Sequence, residues 1–280
     1  MNQAKSSDNA WMYINSLRAF MGPDSYLTAA LLTDEVIHSS KDKSSSLYTT
    51  LLQCADKAGV ANPFPNQDAF YNFYRLVSES GEFNWGQMLQ LTLEYKKMPV
   101  LPEALVTLMA EEFGRKRGTV MIAEAEKFAA SLSQIIEQHP DSKFLLTTQN
   151  QDYQKVLEKM CDGYANVTVT LTNIYRYEFI NKRFNLILSN PIFGGRDIVD
   201  DSHFICRETD FVALENLSLH LNTGGLLEIV LPARISFAAG KTGDLRQFIQ
   251  SNYSIRELSE LPEGTFNYTG IKTCLLYTSD

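Results

Sequence analysis

From Gly118 onward the chain alternates short apolar runs with amphipathic stretches, and this alternation limits the possible folds more than any other feature. Thr119–Ala123, Lys143–Thr148, Val167–Thr172, Phe184–Leu188, Gly225–Leu231, Ile255–Leu261 and Lys272–Tyr277 read as strands. Between them, Glu124–Gln138, Gln151–Met160, Asp210–Leu221 and Asp244–Ser251 read as helices. Strands alternating with helices predict an α/β fold whose mostly parallel sheet is covered on both faces. Ligands of such a sheet bind beyond the carboxyl ends of its strands, where the strand order reverses. Asn190, just past Phe184–Leu188, stands at such an end.

The first part of the chain has a different texture. Ala10–Met21, Asp24–His38, Leu47–Ala58, Gln67–Val77, Asn84–Tyr95 and Pro102–Phe113 carry apolar residues near helical spacing, separated by Gly, Pro and Ser punctuation. The division expected is a helical N-terminal domain over residues 1–98 and an α/β domain over residues 99–280.

Composition excludes several classes. No run of about 18 uncharged apolar residues occurs, so no membrane span is expected. The polar start, Met1-Asn2-Gln3-Ala4-Lys5-Ser6-Ser7-Asp8, lacks the apolar core of a signal peptide. Cys54, Cys161, Cys206 and Cys274 lie far apart without metal or disulfide spacing, and the four histidines are equally scattered. No metal site is expected, and a reducing, cytoplasmic setting is the default. A formal net charge of −8 argues against an autonomous grip on nucleic acid, which usually takes a basic stripe. The clearest basic cluster is Arg115-Lys116-Arg117. If the chain acts on DNA, a partner or a further segment is expected to supply part of the contact.

The stretch Ser189-Asn190-Pro191-Ile192-Phe193-Gly194 carries the most chemistry. Read as local structure, Asn-Pro followed by Gly194-Gly195 is a turn after a strand. It also resembles the catalytic loop of the amino-methylating DNA methyltransferases, usually Asn-Pro-Pro-Phe or Asn-Pro-Pro-Tyr, with Ile192 in place of the second proline. An exocyclic adenine amine is a poor nucleophile because its lone pair is delocalised into the ring. In the family's scheme the Asn190 side-chain oxygen and the Pro191 carbonyl would accept both amine hydrogens, and Phe193 would stack on the flipped base.

The C-terminal third narrows the resemblance. Gly224-Gly225-Leu226-Leu227-Glu228-Ile229-Val230-Leu231-Pro232 is followed by a helix with Leu245-Arg246-Gln247-Phe248. Then comes Leu261-Pro262-Glu263-Gly264-Thr265-Phe266-Asn267-Tyr268-Thr269-Gly270-Ile271-Lys272-Thr273. This order is similar to the modification subunits of type I restriction systems and related N6-adenine DNA methylases. The helix around Trp11, Leu17 and Arg18 is similar, more weakly, to their helical domain. The resemblance implies a Rossmann-like methyltransferase sheet with a C-terminal antiparallel hairpin, S-adenosylmethionine as cofactor, DNA as substrate, and a specificity subunit and other restriction–modification subunits as partners. Taken locally, Gly264–Lys272 is a hairpin turn; under the resemblance it lies over the target base, with Lys272 either a phosphate contact or an exposed charge.

The cofactor side departs from that family. After the first strand it should carry an acidic, glycine-rich loop, because glycine lets the backbone approach the ligand closely. This chain has Ala123-Glu124-Ala125-Glu126-Lys127-Phe128. Glu124 is then either the surviving acid or a favourable charge at a helix start. Where acids are expected after the second and third strands, Gln149 and Asn173 stand; Leu101-Pro102-Glu103 replaces a Thr-Pro-x-Glu pattern. The strand Thr273–Tyr277 runs close to Asp280, whereas modification subunits extend into a helical tail, so a truncated chain is expected. Two functions follow from the resemblance: methyl transfer to adenine N6 in DNA, or a pseudo-methyltransferase that binds DNA or a partner. A small-molecule or RNA methylase on the same fold is the third possibility, and the Gly264–Thr273 segment argues against it.

Overall fold

Persistent apolar strands and well-capped helices give two units in the computed structural model, which describes residues 3–39, 46–111, 118–196, 203–266 and 269–280, without the side chains of residues 3–8. One unit comprises Met1–Met98 with Lys155–Met160, the other Pro99–Gln154 with Cys161–Asp280. The Arg115–Arg117 cluster and the Asn267-Tyr268 pair lie outside the described residues.

The first unit is helical: α1 (Gln3–Leu17), α2 (Tyr26–Ser39), α3 (Leu47–Ala58), α4 (Gln67–Ser80) and α5 (Trp85–Tyr95). Ser46, Asn66 and Asn84 each start a helix by accepting the N–H three residues on with the side chain, which satisfies an otherwise orphaned donor. The interior is aromatic. Tyr13 meets Phe73 and Phe83 edge to face, and its hydroxyl donates to the Gly81 carbonyl at 2.8 Å.

The rest of the chain carries α6 (Glu103–Ala110), β1 (Thr119–Ala123), α7 (Leu132–Gln138), β2 (Lys143–Thr148), α8 (Gln151–Met160, of which Lys155–Met160 is counted with the first unit), β3 (Val167–Leu171), β4 (Phe184–Ser189), α9 (Thr209–Ser218), β5 (Leu221–Pro232), α10 (Lys241–Asn252), β6 (Ser254–Glu260) and β7 (Thr273–Ser279). The seven strands form one sheet in the order β3-β2-β1-β4-β5-β7-β6. β7 runs antiparallel to both β5 and β6, and the other pairings are parallel. The expected mostly parallel sheet with a C-terminal antiparallel pair is therefore observed. β1 and β4 are buried on both faces, as the central strands of a covered parallel sheet must be. Met121, Ile187, Phe211, Leu214, Leu227 and Leu276 belong to one core beneath that sheet.

The order reverses between β1 and β4, so the switch point lies between them. Their register pairs Ala123 with Ser189. Glu124 and Asn190 therefore leave the sheet as neighbours.

One predicted element is different. The helix expected over Glu124–Gln138 is broken into a single 3-10 turn, Ala125–Phe128, and α7. Glu124 adopts the left-handed conformation (φ 53°, ψ 56°), which no α-helix accommodates. The turn that follows is held by i to i+3 bonds, Lys127 N–H to the Glu124 carbonyl and Ala129 N–H to that of Glu126. Among the described residues, no helix is long and apolar enough to cross a membrane, and no cluster of three or more His, Cys, Asp or Glu side chains is placed to hold a metal.

Candidate functional site

The loop after β4 is anchored at every step. Asn190 is completely buried, and its amide nitrogen donates to the Pro99 carbonyl at 2.9 Å. This fixes the side chain and leaves Oδ1 buried without a hydrogen-bond partner. Such an acceptor is a standing deficit that a donor would relieve. Pro191 is buried beside it, and Ile192 and Phe193 are half-buried. The Ile192 N–H donates to the Tyr175 hydroxyl at 3.0 Å, and the Ile192 carbonyl accepts from the Thr209 hydroxyl. Gly194 turns the chain with φ 69°, a conformation that favours glycine, and its N–H donates to the Asp210 carboxylate at 3.0 Å. Asp210 is itself buried, and burial pushes its carboxyl above the ordinary range. Phe193 meets Phe266 edge to face, with ring centres 5.8 Å apart.

The loop after β1 is packed with ionisable groups. Glu124, Glu126 and Lys127 are buried, the last with no exposed surface. The Lys127 ammonium donates to Glu124 Oε2 at 2.8 Å and to the Asn190 carbonyl at 2.7 Å. The Tyr175 hydroxyl donates to the same Glu124 oxygen at 2.7 Å, and Gln149 Nε2 reaches Oε1 at 3.4 Å. Burial above all, and then the Glu124 charge, hold the Tyr175 phenol well above its usual range. The Glu126 carboxyl is raised to about 7, first by burial and then by the Glu124 charge, and its Oε2 has no hydrogen-bond partner. Phe128, also fully buried, closes the turn.

The fold thus brings Glu124, Gln149, Asn190 and Pro191 together at the switch point. Asn173 is close along the chain, where its Oδ1 accepts the Tyr175 N–H at 2.9 Å and shapes the turn that presents Tyr175. Lys272 belongs to the connection between β6 and β7; its exposed ammonium pairs with Glu263 at 3.2 Å. Three groups at the site go beyond the residues that the sequence motifs single out: Tyr175, the Pro99 carbonyl and Asp210. The only signal for Tyr175 was its position two residues past an asparagine after a strand, the Asx-turn spacing. Nothing in the sequence marked Pro99, whose contribution is a backbone oxygen.

These features define a class, an α/β protein with a methyltransferase-type sheet. The likeness extends over most of the chain to solved structures. A methyltransferase subunit of a type I restriction–modification system from Streptococcus thermophilus is 13% identical, with 99% of this chain and 85% of that one covered and a TM-score of 0.68. A protein described as the modification subunit of a type I restriction enzyme from Vibrio vulnificus is 19% identical, with 82% of this chain covered and a TM-score of 0.59. The present chain covers 53% of the Vibrio protein, about half its length. A protein described as a class I S-adenosylmethionine-dependent methyltransferase from Listeria monocytogenes is 14% identical, with 91% and 87% covered and a TM-score of 0.56. Residues 147–279 match the family model described as N-6 DNA Methylase.

Proposed function

We propose that this chain is an N6-adenine DNA methyltransferase-like module of a restriction–modification assembly, and that it engages an adenine of DNA through Asn190, Pro191 and Phe193. The observation that carries this reading is the immobilised, buried Oδ1 of Asn190, an acceptor without a donor, at the carboxyl end of the switch-point strand. An adenine amine offers the missing N–H. The half-buried Phe193 ring supplies a stacking surface of the kind on which a displaced base rests. With a net charge of −8, the chain takes much of its phosphate contact from partners, a specificity subunit among them. Lys272, exposed on the β6–β7 connection and paired with Glu263, is either a phosphate contact or an exposed charge in this reading.

S-adenosylmethionine is the methyl donor the family implies. The residues of this chain do not fit it. The loop after β1 contains no glycine, and Glu126, Lys127 and Phe128 are packed into the interior where an open, close-approaching backbone is needed. Gln149 and Asn173 stand where acids would grip the ribose and adenine, and both are engaged internally. That favours the second function, a pseudo-methyltransferase that binds and does not transfer.

The test is binding of adenine-containing duplex to the chain, with and without its specificity partner, alongside transfer of a labelled methyl group. Partner-dependent binding that weakens in Asn190→Ala and Phe193→Ala, without methyl transfer, is expected. Methyl transfer abolished by Asn190→Ala would restore the enzyme. Absence of DNA binding with the partner present would end the base-recognition reading.

A further inference from the structure

The switch-point crevice of an open α/β sheet is the ordinary place for a ligand, and here side chains of the same chain meet across it. Lys127 stems from the β1 loop, yet one of its two bonds goes to the β4 loop, at the Asn190 carbonyl. Tyr175 makes the second bridge, donating to Glu124 on one side and accepting from Ile192 N–H on the other. Every member of this chain of contacts except Ile192 is buried.

We propose that Lys127 is a built-in occupant of the crevice: its ammonium ties the β1 and β4 loops together and takes the place of a small-molecule ligand, so the protein holds the Asn190 loop in shape without S-adenosylmethionine. Two physical facts support this. A buried ammonium is stable only if paired and hydrogen-bonded, and Lys127 finds both a carboxylate and a carbonyl, so it has no reason to leave. The sulfonium donor is itself a cation, and bringing it beside a fixed ammonium in a dry crevice adds like-charge repulsion to the steric conflict. The inference rests on the proposed reading of the fold as a methylase-type module, but it makes no use of DNA.

The test uses the wild-type protein, so it survives the case in which a Lys127 variant fails to fold. Native-state acylation of lysines, followed by peptide mass spectrometry, compares Lys127 with Lys241 and Lys272, whose side chains are about three-quarters exposed. Lys127 is expected to react at least about 100-fold more slowly, since it must await an opening of the fold. S-adenosylmethionine and S-adenosylhomocysteine, titrated calorimetrically to millimolar concentration, are expected to give no saturable heat and no shift in melting temperature. Labelling of Lys127 at the rate of the exposed lysines, or saturable micromolar binding of either compound, overturns the proposal. Both readouts are independent of DNA, so loss of DNA binding with Lys127 protected would sink the base-recognition reading and leave this one standing.

Discussion

The loops after β1 and β4 leave the sheet side by side, and they are built in opposite ways. The β4 loop presents Asn190, Pro191 and Phe193 with a buried acceptor free of any donor and an aromatic edge half-open to solvent. The β1 loop buries three ionisable side chains, and the ammonium among them is held by a carboxylate and a carbonyl. The strands that carry both loops are apolar and paired, with Val120, Ile122, Leu186 and Leu188 all buried. The frame and the capacity for a ligand are thus set by different residues: apolar strands fix the first, a few loop positions the second.

The sharpest way to break this contrast is to remove the cation. Lys127→Ala leaves Glu124 buried without its counter-charge and is expected to cost about 3–5 kcal/mol in urea denaturation. Combining Lys127→Met with Glu124→Gln should restore much of that loss, since neither charge then remains in the interior. Tyr175→Phe deletes the second bridge and strands both the Ile192 N–H and one contact to Glu124. About 2–3 kcal/mol of destabilisation is expected by the same measurement.

A further prediction concerns pH. Glu126 has an ordinary value of 4.5 and is raised to about 7 in the fold. Between these values the folded chain keeps a proton that the unfolded chain has lost. Its contribution is therefore full below about 4.5 and lost as pH rises through about 7. Glu124, Lys127 and Tyr175 are the titratable neighbours that share this environment. Glu126→Gln should flatten the slope of stability against pH over that window and stabilise the protein at pH 8 by about 2 kcal/mol. An unchanged slope in the variant would place the titration elsewhere.

On the β4 side the effects should fall on binding. Phe193→Ala is expected to weaken partner-assisted DNA binding by about 1–2 kcal/mol through lost stacking, with a smaller change in melting temperature. Smallest of all, Lys272→Ala should leave stability within about 0.5 kcal/mol, because its pair with Glu263 is exposed. A change confined to the salt dependence of DNA binding would mark it as a phosphate contact.

Much of this was legible in the chain itself. The alternation from Gly118 gave the sheet because buried parallel strands demand continuous apolar runs, and the run Phe184–Leu188 put Asn190 just past a strand's carboxyl end. The break at Glu124 was not legible. Ala125, Phe128, Ala129, Leu132, Ile135 and Ile136 are all buried, and in sequence they resemble one apolar helical face; the left-handed turn is favoured by contacts that sequence order does not display. Tyr175 lies 51 residues from Glu124, so its part in the site depends on β1 and β4 already being adjacent. The missing glycines were visible; the bond from Lys127 to the far loop was not, because 63 residues separate it from Asn190.

The place of β7 in the sheet has a consequence for the order in which the molecule comes into being. Among the described residues it comes after β5 and β6 in sequence, yet it lies between them and pairs with both. A chain emerges from the ribosome amino end first. Until Thr273–Ser279 arrives, β6 has no neighbour to pair with and β5 shows an open edge, the kind of surface that recruits other strands. The β6–β7 connection carries Phe266, which meets Phe193 edge to face. The contacts that tie β1 to β4 involve none of these residues, whereas the wall beside Phe193 depends on a segment made after all of them.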